Sequence, residues 1–279
     1  MMKSVPSSVY TKEYYLRVCL GSEQFRKNRG RTLHPRVKYL LSKVPLSSND
    51  CVLDVGCGRG DLVLYLAKIV KKVIGIDYSS DGIALAEGIR KKAPKSIQQK
   101  TTFHVMNIQK LQFPDNSIDV VMCIDVLEHL YKPEVEIALQ EISRVLKKNG
   151  VFFFHTGPNK ILEDFTYPLY ILPINRLVTN IDQFVKNVRY LPLPNDPRSE
   201  HQKEQHVNEP TYFYIHNAMR KHGFVGKIEM EVGFVKKGTG LRTKFYNFVT
   251  TLYPLSRFFP LNLLFGWVFI GVLRNKKVA

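Results

Sequence analysis

The sequence predicts an α/β protein with a mostly parallel, doubly wound sheet that helices cover on both faces. Three observations favour this class. Apolar runs of strand length alternate with helix-length amphipathic runs over residues 51–156, a pattern typical of right-handed β-α-β crossovers. The runs of strand length are almost entirely apolar, as burial on both faces requires. A glycine-rich turn, formed by Gly56, Gly58 and Gly60, directly follows the first of them.

The predicted elements follow one another closely along the chain. Ser79 or Ser80 is placed to cap the second helix, because either side chain can accept a hydrogen bond from a free amide of the first turn. Pro133 opens an amphipathic helix, and residues 147–150 (KKNG) have the composition of its C terminus. A later helix is predicted from Pro210 to Gly223. Strands are predicted at 52–55, 71–77, 101–106, 118–124, 151–155, 224–234 and 267–274.

Length and composition predict a single domain. With 279 residues and 44% hydrophobic content, the chain can bury a large core. The four cysteines lack the spacing of a zinc site or of a disulfide scaffold, and no signal peptide precedes the domain, so we expect a cytoplasmic protein. The predicted parts are an N-terminal helical cap (1–49), a cofactor-binding core (50–156), a lid insertion (157–209) and a C-terminal part (210–279) with a second insertion (235–265).

The net charge of +17 is concentrated at the two ends of the chain. Residues 1–50 contain 10 Lys and Arg against 3 Asp and Glu, and residues 220–279 contain 11 against 2. The middle of the chain is nearly neutral, with 20 against 19. This distribution favours an anionic partner such as a phosphorylated substrate, an anionic membrane surface or RNA. The alternative is that these charges only keep the protein surface soluble and bind no partner.

The glycine-rich turn predicts a nucleoside cofactor. Glycines allow a sharp turn and a close approach of a ligand to the backbone, and the next helix offers free N–H groups at its N terminus. Asp77 ends the second predicted strand, where a carboxylate can accept hydrogen bonds from both hydroxyls of a ribose. The third glycine comes one residue earlier than in the dinucleotide fingerprint G-x-G-x-x-G.

Four stretches in this order resemble the motifs of class I S-adenosylmethionine-dependent methyltransferases: VLDVGCGRGD, GIDYS, FPDNSIDVVMCIDVLEHL and EISRVLKKNGVFFFHTGPN, all within residues 51–159. The resemblance implies a Rossmann-like seven-stranded sheet with an antiparallel last strand, S-adenosylmethionine as cofactor and methyl transfer as the reaction. A weaker likeness, in the N-terminal helical segment, is to the methyltransferases of polysaccharide and glycolipid biosynthesis.

The resemblance also implies the cofactor-binding residues. Asp54, Gly56 and Gly58 would line the methionine part, Asp77 would hold the ribose and Tyr78 would pack beside the adenine. Asn107 departs from the usual acidic residue, although its amide oxygen can still accept from the adenine amino group. The full predicted set is Asp54, Gly56, Cys57, Gly58, Asp77, Tyr78, Ser79, Asn107, Ile108, Ile124 and Asp125.

Candidates for catalysis and acceptor binding are fewer. His206, in a polar segment after a proline-rich stretch, is a candidate general base or substrate contact. His129, within the VLEHL motif, is a candidate contact at the methyl-transfer site, or else a histidine that positions a helix. Tyr15 and Arg36 are candidates for substrate binding, and an arginine also suits the cofactor carboxylate. The spacing of His201 and His206 is not a compact zinc signature, so we expect no metal.

Both insertions leave carboxyl ends of strands, so we expect them to roof the site. Their many aromatic residues suit a lid over a bulky or lipidic acceptor, or else pack the lid against itself. The stretch 258–273 is too short and too interrupted to span a membrane. A basic, aromatic lid of this kind is suited to peripheral contact with an anionic bilayer.

The sequence therefore favours S-adenosylmethionine-dependent methyl transfer to a small-molecule or lipid-linked acceptor, with a hydroxyl as the expected group. One alternative is an RNA methyltransferase. It is less favoured because the aromatic residues are not interleaved with Lys and Arg, and no RNA-binding module is recognisable. Another alternative is a cofactor-binding partner subunit that has lost catalysis.

Overall fold

A single seven-stranded sheet forms the centre of the computed structural model, which describes residues 5–28, 30, 32–186 and 193–277. The strands are β1 (Cys51–Val55), β2 (Lys72–Asp77), β3 (Thr101–Val105), β4 (Ile118–Ile124), β5 (Leu146–Thr156), β6 (Phe224–Val232) and β7 (Gly266–Asn275). Their order is β3-β2-β1-β4-β5-β7-β6. Strands β1 to β5 are parallel, and β7 is antiparallel to both β5 and β6. The predicted Rossmann-like, doubly wound sheet with an antiparallel last strand is confirmed.

Helices cover both faces of the sheet. They are α1 (Ser22–Asn28), α2 (Pro35–Leu41), α3 (Asp61–Leu66), α4 (Ser80–Arg90), α5 (Lys95–Lys100), α6 (Lys132–Val145), α7 (Leu172–Lys186), α8 (Glu200–Gln205), α9 (Tyr212–Lys221), α10 (Leu241–Thr251) and α11 (Leu261–Phe265). Successive strand residues point to opposite faces, so Val52 joins the cluster under α2, α3 and α4, whereas Leu53 joins the one under α6 and α9. The central strands β1 and β4 are thereby buried on both faces.

The start of β5 differs from the prediction. The segment 147–150 was expected to end a helix, but α6 ends at Val145 and β5 begins at Leu146. Leu146 pairs with Ile118 and is fully buried, and the register then shifts before Val151 pairs with Val120. The turn-like composition of 147–150 therefore marks an irregularity inside the strand.

The two insertions pack on each other beside the β6–β7 edge. A π-helical segment, Leu162–Ile171, leads into α7, and its buried side chains meet Phe265 of α11 in a third hydrophobic cluster. The Tyr170 hydroxyl donates to the Val249 carbonyl of α10 over 3.0 Å. Arg198 joins Glu163 and Glu209, which lie near the two ends of the first insertion. The insertions therefore form one layer.

Gly271 on β7 packs against the ring of Phe154, its partner on the neighbouring strand β5. A Cβ at position 271 would come within 2.0 Å of that ring. We expect Gly271→Ala to lower the free energy of unfolding by about 1–3 kcal/mol, because the fully buried Phe154 must move to admit the methyl group. Urea unfolding monitored by circular dichroism measures the change.

Gly88→Ala is the matched control. Gly88 lies inside α4, and an added Cβ would have no atom within 4 Å. This variant should gain roughly 0.5–1 kcal/mol from the helix preference of alanine. Equal stabilities for the two variants would contradict the close packing of β7 on β5.

Candidate functional site

The turn after β1 brings the backbone against the end of β2. The amides of Gly56 and Cys57 both donate to the Ile76 carbonyl, over 2.8 and 2.9 Å. Gly58 has a φ of +51°, and a Cβ there would come within 2.9 Å of the ring of Tyr15. A Cβ on Gly56 would meet Val126 at 2.4 Å. The glycines are thus required both for the left-handed backbone and for the close approach of neighbours.

Asp77 at the end of β2 is held by two backbone amides. Gly58 donates to its Oδ2 and Ser79 to its Oδ1, each over 2.8 Å. Each carboxylate oxygen has a second lone pair, so the group can still accept two hydroxyls. Burial raises the pKa of Asp77 above its ordinary value, although these hydrogen bonds oppose the shift. This arrangement fits the ribose of an adenosine cofactor.

A cavity of about 480 Å³ lies at the carboxyl ends of β1, β2 and β4. Its volume is in the range of small-molecule sites, roughly 300–1,000 Å³. The following predicted residues line it: Asp54, Gly56, Cys57, Gly58, Asp77, Tyr78, Asn107, Ile108, Ile124 and Asp125, together with Tyr15 and His129. Asn107 Oδ1 accepts from the Gln109 amide over 2.8 Å and has a second lone pair for a ligand.

The N-terminal segment closes this cavity. Tyr10, Tyr14 and Tyr15 line it, and the buried Arg59 donates to the carbonyls of Tyr15 and Leu20 over 2.5 and 2.7 Å. Short N-terminal helices therefore cover this cavity. The prediction that both insertions roof the site is wrong for this cavity, because its lining, in the part of the chain that the structure describes, includes no residue of 157–209 or 235–265.

Two predicted site residues make other contacts. Ser79 is not part of the cavity lining: its hydroxyl caps α4 through the Gly82 amide and donates to the Tyr10 carbonyl over 2.6 Å. Arg36 also lies outside the lining and forms a bidentate pair with Asp125, over 2.9 and 3.0 Å. Tyr15 was predicted to bind substrate, but it lies against Gly58, beside the cofactor end of the cavity.

Asp125 follows β4 and links three parts of the chain. Its φ is +56°, and its Oδ1 accepts from Nδ1 of His155 on β5 over 2.6 Å. Burial works against ionisation, but His155 and Arg36 together hold the pKa of Asp125 well below its usual range. Asp125 therefore presents a fixed negative charge at the cavity wall.

His129 and His206, far apart in sequence, are neighbours. Their rings are perpendicular with centroids 5.0 Å apart. Both adjoin Glu128, a buried residue that the sequence analysis did not single out, although it lies in the same VLEHL motif. Burial and the nearby Asp125 charge raise the pKa of Glu128 well above its ordinary value. The side chain of His201 lies outside the described part of the structure.

Asp54 is the buried acid behind the glycine turn. Burial, with the neighbouring charges of Asp77 and Asp61, raises the pKa of Asp54 to about 8. A raised pKa in the folded state means that the folded protein holds this proton while the unfolded chain releases it near pH 4. The ligand-free protein should therefore lose stability as the pH rises from 5 to 8, by up to roughly 1.4 kcal/mol per pH unit.

Asp54→Asn should remove this dependence, because the amide does not titrate. Urea unfolding of both proteins at pH 5, 6, 7 and 8 tests the difference. Asp119→Asn is the control. Burial works against ionisation of the partly buried Asp119, but the hydrogen bond from Lys147 holds its pKa below the ordinary value, so Asp119 contributes a constant amount to stability over this pH range. If the free energies of unfolding of wild type and Asp54→Asn differed by the same amount at all four pH values, the raised pKa of Asp54 would be contradicted.

Comparison with known proteins identifies the core. Residues 53–154 match the family model described as "Methyltransferase domain". A probable methyltransferase, ltbC, of Aspergillus luteorubrus is 30% identical over 186 residues, covering 64% of this chain and 61% of that protein. The ubiquinone biosynthesis O-methyltransferase of Pelagibacter ubique is 32% identical over 132 residues, covering 47% of this chain and 51% of that protein.

The fold is also found among solved structures. The YcgJ protein of Bacillus subtilis superposes with a TM-score of 0.54 at 17% identity, covering 88% of this chain and 100% of that one. This likeness shows the fold alone. The two curated relatives match this chain over 61% and 51% of their own length.

Proposed function

We propose that this chain, whose core is an S-adenosylmethionine-dependent methyltransferase domain, transfers a methyl group to a hydroxyl of a lipid-linked or other small-molecule acceptor. The domain match over residues 53–154 and the seven-stranded fold confirm the predicted class and cofactor. The observation that carries the reaction is the cavity in which the glycine turn and Asp77 face a wall formed by Asp125 and His129.

The chain's own residues fit the cofactor. Asp77 offers a carboxylate to a ribose, and Asp54 is a buried acid beside the glycine turn, where a positively charged ligand would favour its ionised form. The N-terminal tyrosines line this end of the cavity. S-adenosylmethionine supplies an electrophilic methyl group on a sulfonium sulfur, so that an acceptor oxygen gains the C–O bond as the S–C bond breaks and the hydroxyl proton leaves.

An oxygen acceptor is supported by the polar wall of the cavity. Methylation of a hydroxyl requires loss of its proton. The predicted candidates to assist this loss are His129, which lines the cavity, and His206, which lies outside the lining but packs its ring against His129. The similarity to a ubiquinone biosynthesis O-methyltransferase agrees with an oxygen acceptor. The Arg36 pair keeps Asp125 oriented beside them.

A lipid-linked acceptor is supported by the outer surface of the insertions. Helices α7 and α10 lie side by side, with polar contacts between them through Asp182 and Arg242 and through Asn175 and Tyr246. Their solvent faces are apolar, and Phe184 and Leu241 are 90% and 85% exposed. The stripes consist of Leu177, Ile181, Phe184 and Val185 on α7, and of Leu241, Phe245 and Phe248 on α10.

Positive charge surrounds these apolar stripes. Residues 235–265 contain five Lys and Arg and no Asp or Glu. We propose that this face rests on an anionic bilayer, since apolar and basic residues together favour the membrane interface. No helix in residues 5–28, 30, 32–186 and 193–277 is both long and apolar enough to cross a membrane, so the proposed contact is peripheral.

Cofactor binding tests the first part of the proposal. Calorimetric titration should show micromolar binding of S-adenosylmethionine and S-adenosylhomocysteine and none of NADH. Asp77→Asn should weaken binding by roughly tenfold or more, because an amide cannot accept two hydroxyls and also keep both backbone bonds. Asp119→Asn, remote from the cavity lining, should bind as wild type.

The outcome separates the alternatives. Binding of NADH alone would contradict the methyltransferase proposal. Adenosyl binding without transfer of a labelled methyl group to any hydroxyl-bearing lipid or small molecule would favour an inactive partner subunit. Label recovered in RNA would assign the RNA alternative instead.

Vesicle flotation tests the membrane face. The protein should float with vesicles containing phosphatidylglycerol, less so at high salt and less with phosphatidylcholine alone. Phe184→Ser with Leu241→Ser should weaken binding at least about tenfold, since burying each side chain contributes roughly 1.5–3 kcal/mol.

Phe213→Ser is the matched control, because Phe213 is also exposed but lies on α9. If Phe213→Ser weakened vesicle binding as much as the double variant, the proposal that the face of α7 and α10 binds the membrane would be contradicted. A dimer that the double variant dissociates, without flotation, would assign the face to a second copy of the chain.

A further inference from the structure

Glu128, His129 and His206 converge beside the cavity, and His129 is the one of the three that lines it. One carboxylate oxygen and two imidazole nitrogens lie within 4.8 Å of one another. Ligand atoms at about 2.1 Å from one ion in tetrahedral geometry are about 3.4 Å apart, so a pair of ligand atoms at the 4.8 Å limit has to approach by about 1.4 Å. We infer that this cluster binds a divalent transition-metal ion, contrary to the expectation from sequence spacing.

The backbone holds the three side chains together before any ion arrives. His206 directly follows α8, and the amides of the next two residues, Val207 and Asn208, donate to the Glu128 carbonyl over 3.0 and 3.1 Å. These bonds fix His206 beside Glu128 and His129. A site preorganised in this way loses little conformational entropy when the ion binds.

Outer contacts orient two of the ligands. The Thr156 hydroxyl donates to Oε2 of the buried Glu128 over 2.8 Å, leaving lone pairs on the carboxylate for an ion. Nδ1 of His129 lies 3.2 Å from the Gln205 carbonyl. The Tyr10 hydroxyl lies 2.9 Å from the same nitrogen, and outer contacts of this kind fix the ring orientation of histidines that bind metals.

The donor set indicates which ions fit. Two imidazoles and one carboxylate suit Zn²⁺, Mn²⁺ or Fe²⁺, whereas Mg²⁺ and Ca²⁺ favour oxygen ligands. Three protein ligands leave coordination positions open, as in catalytic metal sites.

His129 also lines the cofactor cavity, so the ion would adjoin the proposed acceptor. A hydroxyl bound to such an ion loses its proton to water more readily. This role rests on the proposed function, whereas metal binding does not.

Metal titration of the full chain tests the inference. The protein is stripped with a chelator, freed of any histidine tag and titrated with Zn²⁺ and Mn²⁺ by calorimetry and with Co²⁺ by visible absorption. We expect one equivalent to bind, with a Co²⁺ spectrum typical of mixed nitrogen and oxygen ligands. His206→Ala and Glu128→Gln should each weaken binding by roughly 100-fold; Glu128→Gln keeps the shape and the Thr156 contact.

His104→Ala is the matched control, because His104 is exposed on β3, and it should bind as wild type. Absence of one-equivalent binding, or equal binding by wild type and both ligand variants, would overturn the inference. The metal titration contains neither cofactor nor acceptor, so it tests metal binding independently of the proposed function. A protein that binds the metal but transfers no methyl group in a separate assay would contradict only the proposed function. Methyl transfer by a protein that binds no metal would refute only this inference.

Discussion

The close approach of the turn after β1 to the end of β2 is the constraint on which the cofactor end of the molecule depends. The Gly58 amide donates to Asp77 over 2.8 Å, and the Ile76 carbonyl accepts from the two residues before Gly58. A side chain at position 58 would displace Tyr15, and one at position 56 would displace Val126. One turn therefore positions the Asp77 carboxylate, the N-terminal cap and the loop after β4.

Enclosure by the N-terminal segment sets the electrostatics of the cavity. Burial, together with the charge of the neighbouring Asp77, raises the pKa of Asp54 to about 8. Two acids in this environment favour a ligand that brings positive charge, and a sulfonium does so. Across the cavity, Asp125 keeps its charge because Arg36 and His155 bind it. The two ends of one cavity thus differ in how readily their acids ionise.

The insertions reverse the usual arrangement of surface helices. Between α7 and α10 the contacts are polar, and the apolar side chains point to solvent. The inner side of this layer is nevertheless well packed, since Tyr167 and Ile171 are buried against Phe265. An apolar outer face on a packed layer is consistent with a surface that meets another apolar phase.

The apolar strands, the glycine spacing and Asp77 allowed the sheet and the place of the ligand-binding end to be predicted, because strand burial and close backbone approach leave marks in local sequence. The cofactor-binding residues, most of which line the cavity, were implied by the family resemblance. The resemblance added the antiparallel β7. Contacts between distant segments left no such mark. The pairing of Arg36 with Asp125, the hydrogen bond from Ser79 to the Tyr10 carbonyl and the meeting of Glu128 and His129 with His206 depend on how loops fold over the sheet. Whether a polar side chain faces the cavity or a neighbouring segment is a property of packing in three dimensions, so these contacts became visible only in the folded chain.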